Sequence, residues 1–134
     1  MERKEGKMND KEVNKIMEER AKMIMFLAEY YGRHHQIIKA IEEHSELIQA
    51  LSKYWSGEIS ERADEKTLAK LKKQIVSEYA DCWITIAQVV YLLDVSSKDV
   101  EKMIKYKLKR QLRRIAECNT KSSLKKQLKI TSRR

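Results

Sequence analysis

The chain has 134 residues, which is the length of one domain and leaves no room for a second catalytic domain. It contains no proline and only three glycines, so helix-breaking residues are scarce and the composition predicts an all-α fold. The net charge of +9 favours an anionic partner, such as a nucleotide, a nucleic acid or an acidic surface.

The first predicted helix follows a polar N-terminal segment. Residues 1–8 are expected to be disordered, and Asn9 or Asp10 can cap a helix that ends at Gly32. The N-terminal segment is too polar for a secretory signal peptide, and neither cysteine of the chain has metal-ligand or redox spacing. We therefore expect a cytoplasmic protein with reduced thiols.

A second helix is predicted from about Arg33 to about Gly57, because isoleucines and leucines recur there at helical spacing. Glu43 and Glu46 flank this apolar stripe. They are three residues apart, so their side chains share one face of the helix.

The third helix contains the most apolar stretch of the chain, at residues 75–93. A polar connection precedes it, and Asp64 or Thr67 can serve as its cap. A helix this apolar is expected to be buried nearly all round, yet it carries Glu78 and Asp81. Two acids would be costly at bilayer depth, which argues against a membrane span.

These four acids predict a site for a divalent metal ion. A buried carboxylate without a cation, a metal ion or a proton costs several kcal/mol. Two helices that each carry an acid pair can pack together and place four carboxylates around one point. Magnesium is held by a few carboxylates together with water and substrate phosphates, so the pattern indicates metal-assisted phosphoryl chemistry.

A fourth helix is predicted over residues 98–117, with Ser96 or Ser97 as its cap. One side of it is apolar and the other is strongly basic. Residues 118–134 add six basic residues and no acidic one. We expect a basic C-terminal tail here that follows a helical domain of residues 9–117.

Three segments resemble the MazG-type all-α nucleoside triphosphate pyrophosphohydrolases: AIEEHSELIQAL, then VSEYADCWITIAQVVYLLDV, then the basic helix KYKLKRQLRRI. The motif of that family is Glu-x-x-Glu followed by Glu-x-x-Asp. Its first half matches Glu43 and Glu46, and its second half matches Glu78 and Asp81. The resemblance covers roughly residues 31–115.

The resemblance implies a four-helix-bundle-like domain that assembles as a homodimer or homotetramer. It implies that the four acids bind Mg²⁺, with Mn²⁺ as a substitute, and that they form the catalytic set. The expected reaction is hydrolysis of a nucleoside triphosphate to a monophosphate and pyrophosphate.

Four further residues are expected to contact the substrate. Lys107 and Arg110 are the closest matches to the family's phosphate-contacting residues, although Lys105 stands where that family often has an asparagine. Gln36 can form a hydrogen bond with a base through its side-chain amide. Lys39 is also expected to bind the substrate.

Two alternatives stay open. The acids can instead form buried salt bridges with lysines of the fourth helix. The chain can also be a non-enzymatic helical interaction or nucleic-acid-binding module that uses its basic helix and tail. The tail is expected to be a disordered, solubilising extension, with contact to a nucleic acid or another partner as the alternative, and it is not expected to serve catalysis.

Overall fold

The structure, a computed structural model, describes residues 9–59 and 63–131. Within these ranges it consists of four α-helices and no β-strand: α1 (Asp10–Tyr31), α2 (Arg33–Ile59), α3 (Glu65–Leu92) and α4 (Ser97–Thr131). This confirms the predicted all-α class. Residues 1–8, which are expected to be disordered, lie outside the described residues. The same holds for residues 60–62, in the connection before α3, and for the last three residues.

Both predicted ends of α1 are confirmed. The side chain of Asn9 accepts a hydrogen bond from the backbone N–H of Glu12, and the Glu12 carboxylate accepts one from the backbone N–H of Asn9. This reciprocal pair satisfies two N–H groups that the helix itself cannot. At the other end Gly32 has φ 78° and ψ 165°, a backbone conformation that side chains with a Cβ rarely adopt. α2 begins at the next residue.

The caps of α3 and α4 also lie where the sequence predicts them. Asp64 accepts a hydrogen bond of 2.8 Å from the backbone N–H of Thr67, and its bonds with Thr67 lower the pKa of Asp64. The hydroxyl of Ser96 accepts from the backbone N–H of Asp99.

The predicted end of the fourth helix at Glu117 is wrong, because α4 continues to Thr131, and the expected disorder of the tail is wrong for residues 118–131. Residues 118–131 contain neither glycine nor proline, so no residue there forces the helix to stop. The domain limits of 9–117 and 118–134 stay predictions.

The chain divides into two compact units, the first ending at Asp94 and the second beginning at Val95. In the first unit α3 contacts both α1 and α2, most extensively α2. The side-chain contacts between α1 and α3 include a cation–π pair and a hydrogen bond. The Arg20 guanidinium lies 5.5 Å from the centre of the Trp83 ring, and the Tyr91 hydroxyl donates to Glu29.

The core of the first unit is made of small side chains. Its buried apolar residues are Ala28, Ala40, Ala50, Cys82 and Val89. Among the described residues no large side chain is fully buried. Within the first unit the expectation that α3 is buried nearly all round is wrong, because α1 and α2 leave Val76 and Tyr79 exposed.

Replacing Gly32 by alanine is expected to lower the free energy of unfolding by about 1–3 kcal/mol, because a Cβ is strained at this φ and ψ. Gly57→Ala is the matched control. Gly57 lies within α2, where the higher helix propensity of alanine stabilises the fold by up to about 1 kcal/mol. The added Cβ would lie 3.3 Å from the Cβ of Ala63, and this close contact offsets part of that gain. Urea unfolding at one protein concentration measures both, and an equal effect of the two substitutions would contradict the strain at Gly32.

Candidate functional site

Three of the predicted acids meet where α2 packs against α3. Glu43 and Glu46 of α2 and Glu78 of α3 each offer a carboxylate oxygen, and these oxygens all lie within 4.8 Å of one another. We call these three residues the carboxylate cluster. The two glutamates of α2 share a helix face, and the packing of α3 on that face adds the third.

Burial differs across the carboxylate cluster. Glu43 is only 7% exposed, Glu78 is half-buried, and Glu46 is exposed. A ligand can therefore approach from the side of Glu46, while the Glu43 carboxylate lies in the packed interface. Carboxyl oxygens with this range of exposure suit a cation that keeps part of its water shell.

The electrostatics of the cluster favour a positive charge. Desolvation next to the helix interface raises the pKa of Glu46, and the negative charges of Glu43 and Glu78 raise it further. Carboxylates this close repel one another when all are ionised. A cation or a proton among them removes that repulsion.

Lys39 supplies a positive charge beside the cluster. Its Nζ lies 2.6 Å from Oε1 of Glu43 and 3.3 Å from Oε2 of Glu42. The hydrogen bond to Glu43 raises the pKa of Lys39, and the bond to Glu42 adds to the shift. The spacings of three and four residues within one helix indicate these ion pairs, and the expected contact of Lys39 with the substrate stays a prediction.

Asp81 is outside the carboxylate cluster, so the structure brings together three of the four predicted acids. Asp81 is half-buried, and its backbone carbonyl accepts a bond from the Thr85 hydroxyl. It follows Glu78 by three residues, which moves it about 4.5 Å along the helix axis. Glu43 and Glu46 have the same spacing and both belong to the cluster, so the way α3 packs on α2, and not the spacing alone, leaves Asp81 outside it.

Gln36 is buried two turns before Glu43 on the same helix, and its Oε1 has no hydrogen-bond partner within the described residues. A buried polar oxygen without a partner is costly and suits a ligand that donates a hydrogen bond to it.

Lys107 and Arg110 lie on α4 in the second unit, and both are exposed. The substrate contacts of Gln36, Lys107 and Arg110 stay predictions.

Two buried polar residues of α3 were not predicted. The Thr85 hydroxyl donates hydrogen bonds to the backbone carbonyls of Asp81 and Cys82. The Gln88 side chain is buried, and the residue is only 3% exposed. A polar residue within an apolar helix is the signal that would have identified them, as it identified Glu78. Burial, and then the charges of Glu43, Asp81 and Glu78, raise the pKa of the Cys82 thiol.

Comparison of the chain with protein-family models, with curated proteins and with solved structures gave no match. The resemblance to the MazG-type enzymes therefore rests on the sequence motifs alone. No helix in the described part of the chain is long and apolar enough to cross a membrane.

The raised pKa of Glu46 predicts a pH dependence of the metal-free protein. A carboxyl whose pKa is higher when folded binds its proton more tightly in the folded state. Ionised Glu46 therefore destabilises the fold, and this penalty grows as the pH rises from the ordinary carboxyl pKa through the raised one. Glu46→Gln is expected to melt like wild type at acid pH and at a higher temperature near neutral pH. Thermal melts with chelator measure this difference, and parallel curves at every pH would contradict it.

Proposed function

We propose that the protein is a Mg²⁺-dependent nucleoside triphosphate pyrophosphohydrolase, which hydrolyses its substrate between the α and β phosphates. The observation that carries the proposal is the carboxylate cluster, in which Glu43, Glu46 and Glu78 come from two helices that each contain half of the sequence motif. A nucleotide substrate also accords with the net charge of +9.

The donor set fits Mg²⁺. Its three ligand groups are carboxylates, and hard oxygen ligands suit Mg²⁺ or Mn²⁺ better than the softer transition metals. When bound, the metal ion offsets the charge of the triphosphate and lowers the pKa of a coordinated water. Glu43, Glu46 and Glu78 would hold it, and the exposure of Glu46 leaves room for the phosphates.

The remaining residues have distinct roles in this proposal. Asp81 lies one turn from the cluster and outside it, where a carboxylate can orient or deprotonate the attacking water. Lys39 neutralises Glu43 when no metal ion is bound, and its flexible ammonium can turn to a phosphate when the metal ion takes its place. Gln36 offers its unpartnered oxygen to a donor group of the base. Lys107 and Arg110 of α4 would contact phosphate.

The proposal includes an assembly and a location. We infer a homodimer or homotetramer in which the helices complete a four-helix-bundle-like domain, because a large part of the apolar side-chain surface is exposed in one chain. Both cysteines are free thiols, which accords with the reducing cytoplasm.

A nucleic-acid-binding module is the second candidate function. It is favoured by the basic, exposed side chains of α4 between Lys102 and Arg114. Retention on immobilised nucleic acid at increasing salt, with and without residues 118–134, distinguishes the two. A binding module should lose salt-sensitive retention with the tail, whereas the enzyme should keep its turnover.

The proposed reaction predicts its products. Each ribo- and deoxyribonucleoside triphosphate is incubated with the protein and Mg²⁺, and the products are separated by ion-exchange chromatography. At least one substrate should give a nucleoside monophosphate and pyrophosphate in equal amounts. Formation of a nucleoside diphosphate and orthophosphate would overturn the assignment.

Substitutions in the cluster test metal binding without relying on turnover. Mg²⁺ should raise the melting temperature of wild type in a concentration-dependent way, because it binds only the folded state. Glu46→Gln should lose most of that rise together with activity, whereas Glu42→Gln should keep both. Glu42 is the matched control because it is exposed, adjacent to Glu43 and outside the cluster. If Glu46→Gln instead lowered the metal-free stability and left hydrolysis intact, the cluster would be structural.

A further inference from the structure

The net positive charge of the chain is confined to its second unit. Residues 95–134 carry fourteen basic and three acidic side chains, a net charge of +11, whereas residues 1–94 carry fifteen basic and seventeen acidic ones, a net charge of −2. Residues 102–116 alone include seven basic residues and no acidic one. An anionic partner of the chain would therefore be attracted to the second unit and not to the first.

The same stretch of α4 carries an apolar stripe. Because successive residues of an α-helix are about 100° apart, four large apolar side chains fall within an arc of about 80°. They are Ile104, Leu108, Leu112 and Ile115, and all four are exposed. In the described part of the second unit α4 is the only helix, so no other element of that unit covers them. We call these four residues the α4 stripe.

Basic side chains border the α4 stripe on both sides. Lys105 lies about 20° beyond Leu112 at one edge, and Lys107 lies about 60° beyond Ile104 at the other. The other five basic residues of the stretch lie farther round the helix. Long basic side chains can extend past an apolar surface and place their charged ends among anionic groups. A partner that contacts the α4 stripe would therefore meet positive charge on both sides of it.

A bilayer surface that contains anionic lipids matches both features of α4. Its headgroups attract basic side chains, and the acyl chains beneath them accommodate the apolar side of a helix that lies parallel to the surface. A nucleic acid would attract the lysines and arginines through its phosphates, but it offers no apolar layer for Leu108 and Leu112. The combination of stripe and charge therefore favours a lipid surface.

We propose that α4 binds the surface of membranes that contain anionic lipids, with the α4 stripe inserted below the headgroups. Such a helix lies in the interface and does not cross it, which accords with the absence of a membrane-spanning helix among the described residues. The stripe and the basic residues act together, because stable attachment to a membrane takes two signals. The inference is independent of the proposed reaction, since neither the lipid contact nor its test requires a bound metal ion or turnover.

Cosedimentation of the full chain with lipid vesicles tests the role of charge. The vesicles contain phosphatidylcholine alone or phosphatidylcholine with phosphatidylserine. We expect binding only to the vesicles with phosphatidylserine, and weaker binding as salt screens the charges. Lys105→Gln combined with Arg114→Gln should weaken that binding roughly twenty-fivefold, at about fivefold for each basic residue removed near the surface.

A second pair of substitutions removes apolar surface without changing the charge. Leu108→Gln combined with Leu112→Gln should weaken vesicle binding at least about tenfold, because less apolar surface leaves water. Ile38→Gln combined with Ile41→Gln is the matched control and should bind vesicles like wild type. These isoleucines have an exposure similar to that of Leu112 but lie on α2 in the first unit. Circular dichroism verifies that each variant keeps its helices.

Tryptophan probes distinguish insertion from a purely electrostatic contact. In a chain with Trp55→Phe and Trp83→Phe, the only tryptophan is placed on the α4 stripe by Leu108→Trp, or about 160° away by Tyr106→Trp. Vesicles with phosphatidylserine should shift the emission of the Leu108→Trp chain to shorter wavelength, and lipids brominated on their acyl chains should quench it. The Tyr106→Trp chain should show neither change. This pair carries the test if a glutamine variant does not fold.

Three results would overturn the proposal. The first is short-wavelength emission from the Leu108→Trp chain without lipid, since protein would then cover the α4 stripe. The second is vesicle binding that does not depend on phosphatidylserine, or no binding at all. The third is binding that Lys105→Gln with Arg114→Gln abolishes and Leu108→Gln with Leu112→Gln leaves unchanged. The helix would then recognise negative charge alone, as a nucleic-acid-binding helix does.

Discussion

The packing of α2 on α3 is the interaction on which the rest of the structure depends. Small residues at the interface, Ala40, Ala50 and Cys82, are buried and let the two helices approach closely. Glu43 is buried in the same interface, so its charge has to be compensated there. Lys39 compensates it in this structure, and a divalent cation shared with Glu46 and Glu78 is the alternative that the proposed function requires.

The two sides of α3 differ in chemistry, and this difference connects the candidate site with the proposed assembly. The side toward α2 holds Glu78 and Thr85, whereas the opposite side presents Val76 and Trp83. Within the first unit, α2 packs on the first side and the second side stays exposed. Covering the exposed side would give α3 the burial that its apolar sequence predicts, without blocking the acids.

Local sequence signals predicted the helix ends that a capping side chain or a glycine determines, but not the end of α4. The caps at Asn9 and Asp64 and the end at Gly32 are determined by a few neighbouring residues, and the structure has them as expected. The spacing within each acid pair placed Glu43 and Glu46 on one face for the same reason. The position of Asp81 was not predictable, because the axial offset between two helices depends on how their side chains interlock. The burial of α3 was overestimated because an apolar pattern does not say whether the covering surface belongs to the same chain.

Anomalous X-ray diffraction from crystals grown with Mn²⁺ tests most directly whether the cluster holds a metal ion. The account predicts a strong anomalous peak within coordination distance of carboxylate oxygens of Glu43, Glu46 and Glu78, with the Lys39 ammonium moved away from Glu43. Crystals in which Lys39 stays paired with Glu43 and no peak lies among the three carboxylates at millimolar Mn²⁺ would contradict it.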